Sequence, residues 1–196
     1  MNDTFKQKDV SFLTYPTGTW HQALFKWPVQ LWRLGLAPLI GQVMMLITHT
    51  GRRSGLPRRT MVEYFRIDGV KYVASGFGSR AQWYRNIEAD PRVTIQTADG
   101  VERVRARRLT DGETLLRLLD RVRTRDGPLY HVYLQALVVQ PEEDDILAKL
   151  DRFYWLTFDP TGEPTPPPLQ ADRVWVLPAI AAGLLGLLIL PRKRKR

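Results

Sequence analysis

The amino-acid sequence predicts an α+β fold: a barrel of antiparallel strands with flanking helices. Three observations predict it. Met61–Ile67 and Lys71–Ser75 flank the dipeptide Asp68-Gly69, and Val93–Thr97 and Val101–Leu109 flank Asp99-Gly100. Asp-Gly between two apolar, strand-like runs is a strong hairpin signal. Strands joined by tight turns pair antiparallel, whereas parallel strands need long helical crossovers. Helical patterns then fall at the ends of the chain and in one insertion between the hairpins.

Each element has its own signal. Trp20–Leu36 gathers Trp20, Leu24, Phe25, Trp27, Trp32 and Leu34 among few charges, and Pro28 suits the first turn of a helix running on through VQLWRLGL. Those aromatics would pack on the core or face a membrane interface. Val43–Thr50 is an apolar run that reads as a strand. Gln82–Ala89 is a short helix stopped by Asp90-Pro91. In Val101–Leu109 the apolar residues Val101, Val104, Ala106 and Leu109 do not alternate cleanly, which predicts a bulge or a twisted strand. Glu113–Arg123 is amphipathic, with Leu115, Leu116, Leu118, Leu119 and Val122 as its buried face and Asp111 as its N-cap. Leu129–Val139 and Glu142–Leu150 read as helices and Phe153–Phe158 as a strand. TGEPTPPPLQ is an extended, stiff connection. Arg173–Leu177 reads as a last strand.

Composition narrows the chemistry. Hydrophobic residues make up 44% and charged residues 25% of the 196, a globular balance. There is no cysteine, which excludes disulfides and thiol catalysis. The three histidines, His21, His49 and His131, are scattered, so no zinc or other metal site is expected. The net charge is +9, but the last five residues, RKRKR, supply five of it. No nucleic-acid partner is therefore expected.

The densest chemistry lies in Thr48–Thr60, THTGRRSGLPRRT, with four arginines and two glycines between apolar runs. Arginine's planar fork matches phosphate and carboxylate. Glycine lets successive backbone N–H groups turn inward as an anion-binding nest, and Ser54 adds a hydroxyl donor. The alternative is a solvated basic hairpin turn. In a strand Arg58 and Arg59 point to opposite faces, so one of them, Arg58, is expected to reach the anion.

Three regions follow: an N-terminal extension over 1–19 without signal-peptide character, a barrel domain over 20–177, and a hydrophobic tail over 178–196. Val174–Leu190 carries no charge and leads into Pro191 and RKRKR. This tail is expected to be a helix that anchors the chain from the cytoplasmic face, half-inserted in lipid with its basic end on anionic head groups. A transmembrane span is the limiting case, since the run is barely long enough.

TGRRSGLPR at Thr50–Arg58, YVASGFG at Tyr72–Gly78 and WYRNIEADPRV at Trp83–Val93 occur in the order found in the deazaflavin-dependent nitroreductase family, which this chain resembles over about residues 25–110. The resemblance implies a split β-barrel like that of the flavin reductases, and coenzyme F420, a deazaflavin bearing a phosphate and a polyglutamate tail. FMN is the less favoured cofactor. It implies phosphate binding by Arg52, Arg53, Ser54 and Arg58, and close approach of the ring to Ser75, Gly76 and Gly78. Trp83 and Asn86 on the following helix are cofactor-binding candidates or braces of the barrel. Tyr130 and Tyr133, with Tyr64 on the strand after the arginine turn, are candidates to position or protonate an acceptor oxygen. The implied activity is hydride transfer from reduced F420 to an apolar acceptor such as a quinone or nitro compound, with a homodimer as the expected assembly. A non-catalytic binder of deazaflavin, tetrapyrrole or lipid, and an FMN-dependent reductase, are the alternatives.

Overall fold

A computed structural model describes residues 29–176 and 178. The expected N-terminal extension and the tail helix lie outside these residues. The expected helix through Leu36 is seen as a helical stretch over 29–33, closed by Gly35 at φ 81°. A short helix α1, Ala37–Ile40, follows with proline in its first turn.

Six antiparallel strands form the body: β1 (Met44–Thr50), β2 (Pro57–Ile67), β3 (Val70–Ala74), β4 (Arg92–Thr97), β5 (Gly100–Arg108) and β6 (Trp155–Pro160). They close a barrel in the order β1-β2-β3-β6-β5-β4, with β4 returning to β1. Both Asp-Gly turns stand where the sequence places them. Helix α2 (Gln82–Ala89) crosses from β3 to β4. Helices α3 (Gly112–Arg125), α4 (Gly127–Leu137) and α5 (Glu143–Ala148) form the insertion between β5 and β6.

Two apolar cores result. Alternate side chains of β1 and β4, among them Met45, Ile47, Val93 and Ile95, fill the barrel with Val73, Leu156 and Tyr84. A second core lies outside it, where Phe65, Tyr72 and Trp155 meet Leu115, Leu118 and Leu119 of α3 and Tyr133, Leu134 and Leu137 of α4. Asp111 caps α3 by accepting from the Thr114 N–H at 2.8 Å.

Two expectations are corrected. Of the bulge or twisted strand expected in β5, the bulge is absent: its pairing with β4 runs unbroken from Arg92↔Arg105 to Thr97↔Gly100. Val104 and Ala106 alternate inward, and Val101, 56% exposed, belongs to the outer face. Of the strand expected over Arg173–Leu177, residues 173–176 are described and are not a strand. Residues 172–175 are turn, and the Arg173 N–H donates to the Arg33 carbonyl at 2.9 Å. A closed barrel leaves no free edge there for a seventh strand.

The proline-rich connection is extended, as expected, and lies along the outside of β4. Gln96 holds it in both directions, donating to the Leu169 carbonyl at 3.0 Å and accepting from the Leu169 N–H at 2.7 Å. Asp172 then pairs with Arg33 beside the 29–33 helix.

Candidate functional site

β1 runs out into the arginine turn opposite the start of α2. The turn folds on itself. The Gly51 carbonyl accepts from the N–H groups of Ser54 (3.0 Å) and Gly55 (2.8 Å), and the Gly51 N–H donates to the Leu56 carbonyl at 2.9 Å. Gly55 sits at φ 64°, and a Cβ on Gly51 would lie 2.8 Å from the Ser54 Oγ, so both glycines are required by space or conformation. The Leu56 N–H reaches the Ser54 Oγ at 3.4 Å, and the Arg52 N–H reaches the Asn86 Oδ1 at 3.2 Å. The expected nest of inward-turned N–H groups is therefore not formed. Within Gly51–Leu56 only the Arg53 N–H has no partner among the described residues. What the turn leaves open to solvent are guanidinium groups and the Ser54 side chain.

The four arginines divide in two. Arg52 is fastened to α2: its Nη1 donates to the Asn86 Oδ1 (2.8 Å) and the Gln82 carbonyl (3.3 Å), and its Nη2 to the Gln82 Oε1 (2.8 Å). Arg53, Arg58 and Arg59 are exposed, and their side chains make no ion pair or hydrogen bond among the described residues. Arg58 and Arg59 both line the cavity described next, contrary to the expectation that one alone would face the anion. β2 pairs with β1 from Pro57 to Glu63 but meets β3 only from Tyr64 onward. The cavity meets this half-paired strand edge-on and reaches both of its faces.

That cavity, about 800 Å³, joins the arginine turn to the space between β2 and the α3–α4 pair. One end carries Arg52, Arg53, Ser54, Arg58 and Arg59. The other is walled by Phe65, Val122, Leu129, Tyr133 and Trp155. Glu63 is the one carboxylate lining it among the described residues, and Arg125 of α3 is paired with it. The same Arg125 guanidinium stands 4.5 Å over the Phe65 ring.

The structure brings Arg52, Arg53, Ser54, Arg58, Gly76, Trp83, Asn86 and Tyr133 to this one cavity. Trp83 is part-buried there, its ring edge-on to Tyr84 at 5.9 Å. Ser75 and Gly78 stand behind the wall. The Ser75 hydroxyl donates to the Gly78 carbonyl at 2.8 Å and its N–H to the Tyr154 carbonyl at 2.8 Å, so they shape the turn after β3. Two tyrosine candidates are not on the cavity. Tyr64 lies in the barrel core with its hydroxyl donating to the Gly41 carbonyl at 3.1 Å. Tyr130 is buried in the outer core. Tyr133 does reach the cavity, and its hydroxyl accepts from the Trp155 Nε1 at 3.1 Å. Burial raises the Tyr133 phenol well above its ordinary value, so it keeps its proton at neutral pH.

Sequence reasoning missed His49, Gln82 and Arg59. His49 follows Met45 and Ile47 on the inward face of β1, 2% exposed, with its Nδ1 3.3 Å from the Asn86 Nδ2. Burial pushes its imidazole down to about 4; Arg58 adds to this and the Thr50 backbone opposes it. The signal for it was there: a histidine in strand register one step before the Thr-Gly-Arg motif.

A model of the F420H(2)-dependent quinone reductase family matches residues 35–138, more than half of the chain. The chain belongs to this family. It is an F420-dependent reductase, and its cofactor is F420. The chemistry of the cavity suits that group: it is lined by three guanidiniums uncommitted among the described residues and by the Ser54 hydroxyl, a donor set suited to phosphate and carboxylates, and the one carboxylate lining it there, Glu63, is already paired with Arg125. Solved structures similar to this one include an F420-H2 dependent reductase, FDR-A (22% identity, 60% of this chain and 93% of that one, TM-score 0.36). Others are the conserved hypothetical protein Rv2991 from Mycobacterium tuberculosis (18%, 64% and 78%, TM-score 0.39) and the heme storage protein HutZ from Vibrio cholerae (14%, 71% and 92%, TM-score 0.42).

Proposed function

We propose that this F420-dependent reductase delivers hydride to an apolar acceptor, a quinone or a nitro compound, received at the Phe65–Trp155 end of the cavity. The observation that carries this reading is the polarity of the cavity, cationic at one end and aromatic at the other. F420H2, when bound, supplies the hydride, and this chain supplies binding, orientation and charge. Arg53, Arg58 and Arg59, with the Ser54 hydroxyl, hold the cofactor's anionic groups through charge-assisted hydrogen bonds. Gly76, with no side chain to intrude, lets the ring lie close to the backbone after β3. Phe65, Leu129 and Trp155 exclude water and take an apolar acceptor. Tyr133, protonated and fixed by Trp155, positions the acceptor oxygen. The Glu63–Arg125 pair joins β2 to α3 and fixes the width between the two walls.

Titration of the protein with F420 and with FMN tests the reading, followed by quinone and nitro-compound reduction assays with F420H2. Saturable F420 binding without FMN binding, and turnover of a quinone, are the expected results. Arg58→Glu should weaken F420 binding at least roughly tenfold, the loss of one charge-assisted bond plus a new repulsion. Binding of FMN alone, or tight F420 binding with no acceptor reduced, would overturn it in favour of an FMN reductase or a non-catalytic binder.

We further propose that residues 178–196 hold the barrel at the cytoplasmic face of a membrane. The uncharged run before RKRKR supports this, as does an acceptor that dissolves in lipid.

A further inference from the structure

We propose that His49 is a positioning residue that, through Asn86, holds Arg52 and with it the shape of the arginine turn, and that protonating the imidazole releases this latch. Arg52 then serves as the turn's brace, and Arg53, Arg58 and Arg59 remain to grip the anion. The inference rests on the reading that the turn binds the cofactor's anionic part, and it assigns His49 and Arg52 tasks within that reading.

The hydrogen-bond directions carry the argument. Arg52 offers Asn86 two donors, its backbone N–H and its Nη1, at 3.2 and 2.8 Å. Both need an acceptor, so the Asn86 amide oxygen must face Arg52. The amide NH2 then faces His49, whose Nδ1 accepts at 3.3 Å. An imidazole that accepts at Nδ1 carries its single proton on Nε2. Each of the three residues therefore fixes the next. Asn86 is 8% exposed and His49 2%, so water offers little in place of a lost partner.

Protonation reverses one link. An imidazolium donates from both nitrogens, and its Nδ1–H would then face the Asn86 N–H. Turning the amide relieves this contact but sets its NH2 against the two Arg52 donors, and the Thr50 backbone is the one other partner that favours the charged ring. The charged groups around His49 oppose protonation in the folded protein. Arg58 stands directly opposite on β2, and Arg52 lies in the turn. The residues that α2 presents here, Gln82 and Asn86, are neutral. Asp90, at the end of α2 and bonded to Thr50, is held by Arg92. Burial keeps the imidazole neutral down to about pH 4.

The test separates the latch from the cofactor reading. In the cofactor-free protein, nitrogen NMR should show His49 as the neutral Nε2–H form at neutral pH. The Arg52 amide resonance should move on acidification with the same midpoint as His49. His49→Asn, which keeps an acceptor near the Nδ1 place and cannot titrate, should preserve slow Arg52 amide exchange and remove the midpoint. His49→Leu should speed that exchange and weaken F420 binding by calorimetry, each roughly tenfold, the effect of one lost buried partner. Below about pH 5 the wild type should lose more F420 affinity than His49→Asn, protonation of the cofactor's own carboxylates being common to both. Unchanged Arg52 exchange in His49→Leu would overturn the latch. Faster exchange with unchanged F420 affinity would overturn its service to the cofactor. A folded wild type that binds no F420 would instead overturn the parent reading, and Arg52 exchange would still judge the latch.

Discussion

At the scale of the residue, His49 couples the site to stability. Its imidazole is held at about 4 against an ordinary value of 6.5, so the unfolded chain takes up a proton at a pH where the folded chain does not. Stability is fully present above the ordinary value and is lost as pH falls through the window toward the folded one. The gap corresponds to about 3 kcal/mol. Urea midpoints of the wild type should therefore fall from about pH 7 to about pH 4.5 by more than those of His49→Asn. Parallel midpoints in the two proteins would show that His49 is not buried neutral. The same strand shows what residue-level reading can find. The grouping of the arginines at one end of the cavity was legible because they are close neighbours in the chain. Their division into one brace and three forks was not, because Arg52 is committed by Gln82 and Asn86, which are thirty and thirty-four positions away in sequence.

At the scale of the element, local signals were legible where the chain satisfies itself. The Asp-Gly hairpins, the stop at Asp90-Pro91 and the Asp111 cap all depend on neighbours a few residues away. Asp111→Ala should lower the thermal midpoint through the lost Thr114 bond, with F420 affinity unchanged. The misread elements are those whose faces are set from outside. β5 looked irregular because Val101, though apolar, is turned to solvent, while Glu102 is drawn inward to pair with Lys71. Residues 173–176 had the composition of a strand, but residues 173–175 are set as a turn against Arg33. Arg58 and Arg59 were expected on opposite faces, and so they are. The cavity takes both because β3 is too short to cover that half of β2.

At the scale of the whole molecule, the proposed anchor makes a prediction separate from the barrel's chemistry. The full chain should float with vesicles containing anionic lipid, and a chain ending at Gln170 should not, while both bind F420 alike. Flotation of both would move the membrane contact into the barrel domain. Among the described residues no helix is long and apolar enough to cross a membrane. Light scattering of the shortened chain tests the expected homodimer. The sequence by itself determined the antiparallel α+β barrel and the arginine turn, because turn chemistry, apolar alternation and a charged motif are written in neighbouring residues, and the F420 family entered through the resemblance of three ordered motifs. Only the tertiary structure decided which tyrosine meets the cavity, which arginines remain uncommitted, and that a buried histidine stands behind them. Those choices depend on strands closing into a barrel and on α3 and α4 folding back over β2. Such packing is a sum over distant contacts, and no short stretch of chain contains it.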